Sequence, residues 1–177
     1  HFALTGLLLP LIIKTPNARI VSLSSLAHKW SGIRFHDLNA TWRYDKRLAY
    51  GQSKLACLMF AYELQRRLTK WGYATLSVAA HPGVSATNLF QHLPKAVQLF
   101  APLTELVFQS ASGGAQPTLY AGLGDDIRGG DYCGPQSLGE MRGAPGKVGS
   151  SRRSRDEAVA ARLWAVSQEL TGVRYLE

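Results

Sequence analysis

The sequence is poor in residues that staple a fold or hold a metal. Among 177 residues only two are cysteines, Cys57 and Cys133. That is too few for a disulfide framework, and neither C-x-x-C nor H-E-x-x-H occurs, so no metal chemistry is expected. Cys57 falls in an apolar helical stretch and Cys133 in a strand-like one. Both read as buried thiols of a reducing compartment, and a cytoplasmic location is expected. Acids are also scarce, 12 Asp and Glu against 20 Lys and Arg, for a net charge of +8. That sign suits nucleic acid or an anionic membrane. The basic residues are scattered, however, and their one cluster, "SSRRSRDEAV", runs straight into acids. With no aromatic-interleaved basic stripe, no nucleic-acid partner is expected. The opening "HFALTGLLLPLII" is shorter than the about 20 residues of a membrane span, and no basic n-region marks a signal peptide. It begins without Met and reads as a buried helix whose start lies upstream, ended by Lys14 and a Pro16-Asn17 turn. No G-x-S-x-G elbow exists, since Gly51-Gln52-Ser53 lacks the closing glycine, which argues against a serine hydrolase. No G-x-G-x-x-G phosphate loop occurs either.

A hydrophobic content of 46% and a charged content of 18% place the chain among globular domains, with length for one core. "ARIVSLSS" carries Ile20, Val21 and Leu23 between small polar residues and predicts a buried strand of the parallel type. An aromatic loop follows, with Trp30, Phe35, Trp42 and Tyr44. "AYGQSKLACLMFAYELQRRLTKWG" predicts a helix, because Leu55, Leu58, Met59 and Tyr62 share one face and Gly72 suits its C-terminal cap. "ATLSVAAHPG" predicts a second buried strand ending at Pro82-Gly83. Residues 84–111 read as a long connection. "SGGAQPTLYAGL" predicts a weaker helix around Pro117, and "DYCG" a third strand. A last helix is expected from a Ser154–Glu157 capping box to Gly172. Alternating strands and helices imply an α/β fold with a parallel sheet, whose ligands bind beyond the carboxyl ends of the strands. Ser24 and Ser25, then His81, Pro82 and Gly83, fall on that edge.

The stretch "AYGQSKLA" sets Tyr50 four residues ahead of Lys54. At that spacing on a helix the two side chains are neighbours, roughly 5–6 Å apart at Cβ. A free phenol ionises near about 10 and proton transfer near neutrality wants less. A fixed ammonium favours the phenolate. Each residue by itself has an ordinary reading: a packing tyrosine, a solvated lysine, a strand-end serine, a Pro-Gly turn. Together and in order, "RIVSLSS", "AYGQSKLA" and "HPGVSATNL" resemble the short-chain dehydrogenase/reductase family, in its retinol dehydrogenase-like and protochlorophyllide reductase-like branch. The resemblance runs along essentially the whole chain.

That resemblance implies a partial Rossmann-like, doubly wound domain over residues 1–177. It represents the carboxyl-terminal half, without the amino-terminal cofactor-binding strands, and residues 84–111 serve as a substrate lid. It implies Tyr50 as acid/base, Lys54 as the group that favours its ionised form and grips the nicotinamide ribose, and Ser25 as the positioner of the substrate oxygen. Pro82, Gly83, Val84 and Thr87 would lie along the nicotinamide. The cofactor implied is NADP(H), with NAD(H) possible; the activity is interconversion of an alcohol and a carbonyl. Ser53 is a lesser candidate for a supporting contact, and His28 and His81 read as structural. Leu89, Phe90, Leu93, Val97, Leu99 and Phe100, with the aromatic loop, suit an apolar substrate or the packing of a lid. The family's TGxxxGxG loop and its asparagine before "GHF" do not occur, so the 177 residues alone are expected to bind cofactor poorly and turn over little. Two readings stay open: a nicotinamide-dependent oxidoreductase in the intact protein, and a non-catalytic fragment acting in subunit association. Homo-oligomers are possible in either case. An epimerase or dehydratase would share Tyr and Lys, but the resemblance of "EMRGAPGKVGSS" argues against it.

Overall fold

The computed structural model describes residues 1–84 and 109–177. Its elements begin with α1 (Phe2–Ile12), β1 (Arg19–Leu23), a 3-10 turn (Leu26–Lys29) and α2 (Lys46–Lys70). They continue with β2 (Leu76–Ala80), α3 (Ala111–Leu123), β3 (Tyr132–Ser137) and β4 (Arg142–Lys147). A second 3-10 turn (Arg152–Arg155) and α4 (Glu157–Thr171) complete them. The four-stranded sheet has the order β1-β2-β3-β4. β1 and β2 are parallel, with Leu23 opposite Ala80, and β2 and β3 are parallel, with Ala80 opposite Cys133.

Alternation along β2 covers both faces of the sheet. Ala79 and Tyr132 pack with Leu58, Ala61 and Tyr62 of α2, while Val78, Ala80 and Cys133 pack with Ala121 of α3 and Ile127. This is the doubly wound α/β arrangement, in its partial Rossmann-like form. Leu55, Leu58, Met59, Leu64 and Leu68 of α2 are fully buried, and each side chain contributes about 1.5–3 kcal/mol through burial. At the start of α2 the Asp45 carboxylate accepts the N–H groups of Arg47 and Leu48, both at 2.9 Å. Gly72 (φ +73) closes the end, as its position predicts. The helix therefore starts earlier than the apolar periodicity alone indicates, and Tyr50 sits in its second turn.

Three expectations about the secondary-structure elements, and one about a cysteine, need correction. The parallel sheet carries an antiparallel edge strand, β4, paired to β3 with Pro135 opposite Pro145 and a bulge beyond it. "RGAPGK" has no alternation to announce a strand. The two prolines are tolerated because Pro145 lies on an edge strand and Pro135 of β3 lies past the end of the β2 pairing, where no further ladder bond is required. The second correction concerns α4. Its cap is Asp156, which accepts the Val159 N–H at 3.0 Å. Ser154 belongs to the preceding 3-10 turn and donates to the Ser151 carbonyl at 2.6 Å. Third, α1 is buried on one stripe only. Phe2, Thr5 and Leu9 are covered, with the Phe2 ring 4.8 Å from Trp164, whereas Leu4, Leu7 and Leu11 are 62%, 70% and 69% exposed. Of the cysteines, both free, Cys133 is buried as expected and Cys57 only half-buried. No helix among the described residues is long and apolar enough to cross a membrane. No group of three or more His, Cys, Asp or Glu among them could hold a metal ion.

Candidate active site

Because β1 and β2 are parallel and in register, their exits lie side by side. The Ser24 N–H donates to the Ala80 carbonyl at 2.8 Å, and the His81 N–H to the Cys133 carbonyl at 2.8 Å. Ser24 is buried and its hydroxyl donates to the Lys54 carbonyl at 2.9 Å. That bond ties the end of β1 to α2 at the turn that carries Tyr50 and Lys54. Ser25 caps the first 3-10 turn, its Oγ accepting the Ala27 N–H at 3.2 Å. A hydroxyl that accepts there keeps its own proton for a further partner.

Tyr50 is 46% exposed, with its ring 6.5 Å from that of Trp30. Among the described residues its hydroxyl makes no hydrogen bond. The Lys54 ammonium lies 5.8 Å from the centre of the Tyr50 ring and donates to the Leu23 carbonyl in a long bond of 3.4 Å. Of its three N–H groups, two have no partner among the described residues. Ser53 donates to the Tyr50 carbonyl at 2.8 Å, a contact within the helix.

The Pro82-Gly83-Val84 segment is held by the β3–β4 hairpin. The Val84 N–H donates to the Met141 carbonyl at 2.9 Å, and the Gln109 amide donates to the Pro82 carbonyl at 3.0 Å. Gly83 has φ +72; a Cβ there would overlap the Met141 carbonyl oxygen and stand 2.8 Å from Pro135 Cγ. Thr87 and the apolar residues from Leu89 to Phe100 lie outside the described residues, as does most of the expected lid. Ser25, Tyr50, Lys54 and Pro82 to Val84 thus all belong to the carboxyl edge of β1 and β2.

Sequence reasoning missed the residues that hold these elements to one another. Gly51 lets α2 approach the first 3-10 turn: a Cβ there would stand 2.9 Å from the Ala27 carbonyl oxygen and 3.2 Å from Trp30 Cβ. A glycine inside a strongly predicted helix is a legible sign of such an approach. Gln52, one residue on, accepts the Arg34 N–H at 2.8 Å and donates to the Leu38 carbonyl at 2.9 Å. It fastens the aromatic loop to the Tyr50 helix, and nothing in its local sequence announces this. Within that loop, Phe35 lies under the Arg162 guanidinium at 4.0 Å, while Trp42 and Tyr44 are exposed.

Both structural histidines are fully buried. His81 accepts the Gly83 N–H on Nδ1 at 3.2 Å. Burial, with the nearby His28 and Lys29, lowers its pKa from 6.5 to about 4. His28 is lowered too, chiefly by burial. Between pH 6.5 and about 4 the unfolded chain therefore binds more protons than the folded one, and stability falls as pH falls. Below that window the loss levels off. For His81 the full change is about 3 kcal/mol. That is an upper bound, because Glu140 Oε2, 3.3 Å from Nε2 but outside hydrogen-bond alignment, favours the charged ring. Denaturant melts across this range should show the midpoint dropping, and a flat profile would contradict it.

No family model matches the chain. It is 39% identical to "Retinol dehydrogenase 12" of Mus musculus over 178 residues, covering 99% of this chain and 52% of the relative. It is 38% identical to "Retinol dehydrogenase 13" of Homo sapiens, covering 98% of this chain and 51% of the relative. The chain spans about half the length of the curated relatives it matches. Among solved structures, an uncharacterized protein from Mycobacterium Paratuberculosis matches with a TM-score of 0.77 and 42% identity, over 99% of this chain and 56% of that one.

Proposed function

We propose that this chain, which belongs to the retinol dehydrogenase-like short-chain dehydrogenases/reductases, carries the acid–base part of an enzyme interconverting an apolar alcohol and its carbonyl. The observation that carries the reading is the shared edge: β1 leads to Ser25, β2 to Pro82 and Gly83, and α2 brings Tyr50 and Lys54 beside them.

The roles follow from the chemistry of each group. The Tyr50 hydroxyl, free of protein partners among the described residues, exchanges a proton with the substrate oxygen. The Lys54 ammonium, 5.8 Å from the ring, favours the phenolate electrostatically. Ser25 donates its hydroxyl proton to the same oxygen and holds the carbon in line. A nicotinamide dinucleotide, NADP(H) in preference to NAD(H), supplies the ring that exchanges hydride with that carbon.

Residues present suit the nicotinamide end of such a cofactor. Lys54 has N–H groups left for a ribose, and Gly83, whose missing side chain faces the Met141 carbonyl and Pro135, keeps this segment against the hairpin. Pro82 and Val84 flank it, and Thr87 is proposed to complete this contact. No glycine-rich loop for the phosphates occurs in the sequence. Trp30, 55% exposed and beside the Tyr50 ring, suits an apolar, retinol-like substrate. A cytoplasmic location is part of the same proposal.

The test is to mix the full-length protein with NADP or NAD and a panel of apolar alcohols, retinol among them, and follow the absorbance of reduced nicotinamide. Turnover is expected; none with any pair would overturn the reading. The second reading, association without catalysis, draws on the exposed Leu4, Leu7 and Leu11 of α1 and would then be the one left.

A further inference from the structure

His28 lies beneath the proposed site and has no part in the chemistry above. It is fully buried, in the turn that Ser25 caps. Its two ring nitrogens face different elements. Nδ1 is 2.7 Å from the Ser25 carbonyl oxygen, and Nε2 is 3.1 Å from the Ser151 backbone nitrogen. A backbone N–H can only donate, so Nε2 is the bare acceptor. A carbonyl can only accept, so Nδ1 carries the proton. The two partners together define one neutral tautomer. Burial, which pushes His28 below its ordinary value, agrees with a neutral ring. The Tyr132 ring packs edge-on against it, 5.7 Å between centres.

The Ser25 carbonyl is correspondingly crowded with donors. It accepts the backbone N–H of His28 at 3.1 Å and the His28 ring at 2.7 Å, while the Tyr132 hydroxyl stands 3.5 Å away. The ring bond is the shortest of the three and the only one that ties this turn, through Ser151, to the segment leading into α4. Backbone held in this way fixes the frame from which the Ser25 side chain projects, and the Ala27 N–H holds its oxygen at 3.2 Å.

We propose that His28 is a positioning residue for Ser25, its Nδ1–H bond to the Ser25 carbonyl aiming the serine hydroxyl at the substrate oxygen, while its Nε2 bond to Ser151 serves only to anchor the ring. The proposal rests on the oxidoreductase reading above. It separates the two arms of one side chain, and two amide variants separate them experimentally. In His28→Asn the side-chain amide occupies the place of Nδ1 and can still donate to Ser25, but cannot reach Ser151. In His28→Gln the amide reaches the place of Nε2, and its oxygen can still accept from Ser151, but Ser25 loses its donor.

Both variants are to be made in the full-length protein, with turnover measured per folded molecule and dinucleotide affinity measured by fluorescence titration. The expected result is a split. His28→Asn keeps kcat within about threefold, and His28→Gln loses about 10–100-fold in kcat, the range for a misaimed catalytic contact. Dinucleotide affinity stays unchanged in both. Equal kcat in the two variants, or a more active Gln variant, would overturn the positioning role while leaving the oxidoreductase reading intact. Wild-type protein without any turnover would sink the reading and this proposal with it. Should either variant fail to fold, nitrogen-15 spectra of the wild-type histidine rings decide the matter. A His28 ring protonated on Nδ1 and bare on Nε2 at neutral pH supports the proposal, and the opposite tautomer ends it.

Discussion

Replacing Tyr50 with Phe in the full-length protein is expected to lower turnover by about 10²–10⁴-fold, the usual contribution of a placed general acid or base. The substitution removes a single oxygen. That oxygen makes no hydrogen bond among the described residues and belongs to a side chain that is 46% exposed. Its loss therefore leaves no buried group without a partner, and stability should change by no more than about 0.5 kcal/mol. The ring keeps its place beside Trp30. Substrate KM should move little, because the lost interaction acts on the proton in flight and not on the apolar body of the substrate. Steady-state kinetics beside a thermal melt separates these effects. Turnover equal to wild type would remove Tyr50 as the proton carrier, and an equal fall in melting temperature and activity would make it a packing residue.

Gly83→Ala is expected to cause a large loss of stability for a single added methyl group. Two costs add. The backbone at φ +72 is strained for any residue with a Cβ, at about 1–2 kcal/mol. The added carbon also meets the Met141 carbonyl oxygen, Pro135 Cγ at 2.8 Å and Gln109 Nε2 at 2.9 Å. The first two of these belong to a paired hairpin that cannot step aside, and overpacking of this kind costs about 1–3 kcal/mol. The sum is about 2–5 kcal/mol. Relief requires the segment to move away from the hairpin, which breaks the 2.9 Å bond from the Val84 N–H to the Met141 carbonyl and displaces the proposed nicotinamide contact. Turnover and stability should fall together in this variant, unlike in Tyr50→Phe. Wild-type melting behaviour would show that the hairpin yields.

Several elements were legible because their causes are local. The β-branched run Ile20-Val21 and the apolar "LSVAA" announce the strands at β1 and β2. The face of Leu55, Leu58, Met59 and Tyr62, closed by Gly72, announces α2, and Gly172 announces the end of α4. Strands and helices in alternation restrict the sheet to parallel neighbours, and from that alone Ser25, Tyr50 and Pro82-Gly83 fall on one edge. Which chemistry those residues perform is a matter for the kinetics above.

The rest came from contacts between parts of the chain far apart in sequence. β4 exists because β3 offers it an edge, not because "RGAPGK" prefers to be extended. Asp156 caps α4 in place of Ser154 because Ser154 is occupied by the preceding turn. Leu4, Leu7 and Leu11 look like core in the sequence and are exposed, since burial depends on what stands opposite a helix face and not on the face itself. Gly51, Gln52 and His28 act on partners in other elements, at the turn, the aromatic loop and Ser151. Periodicity, caps and turn residues report a chain's interactions with itself over a few residues, and those the sequence by itself determined. Only the folded arrangement decided which backbone N–H a buried imidazole accepts, because that partner, Ser151, lies 123 residues away.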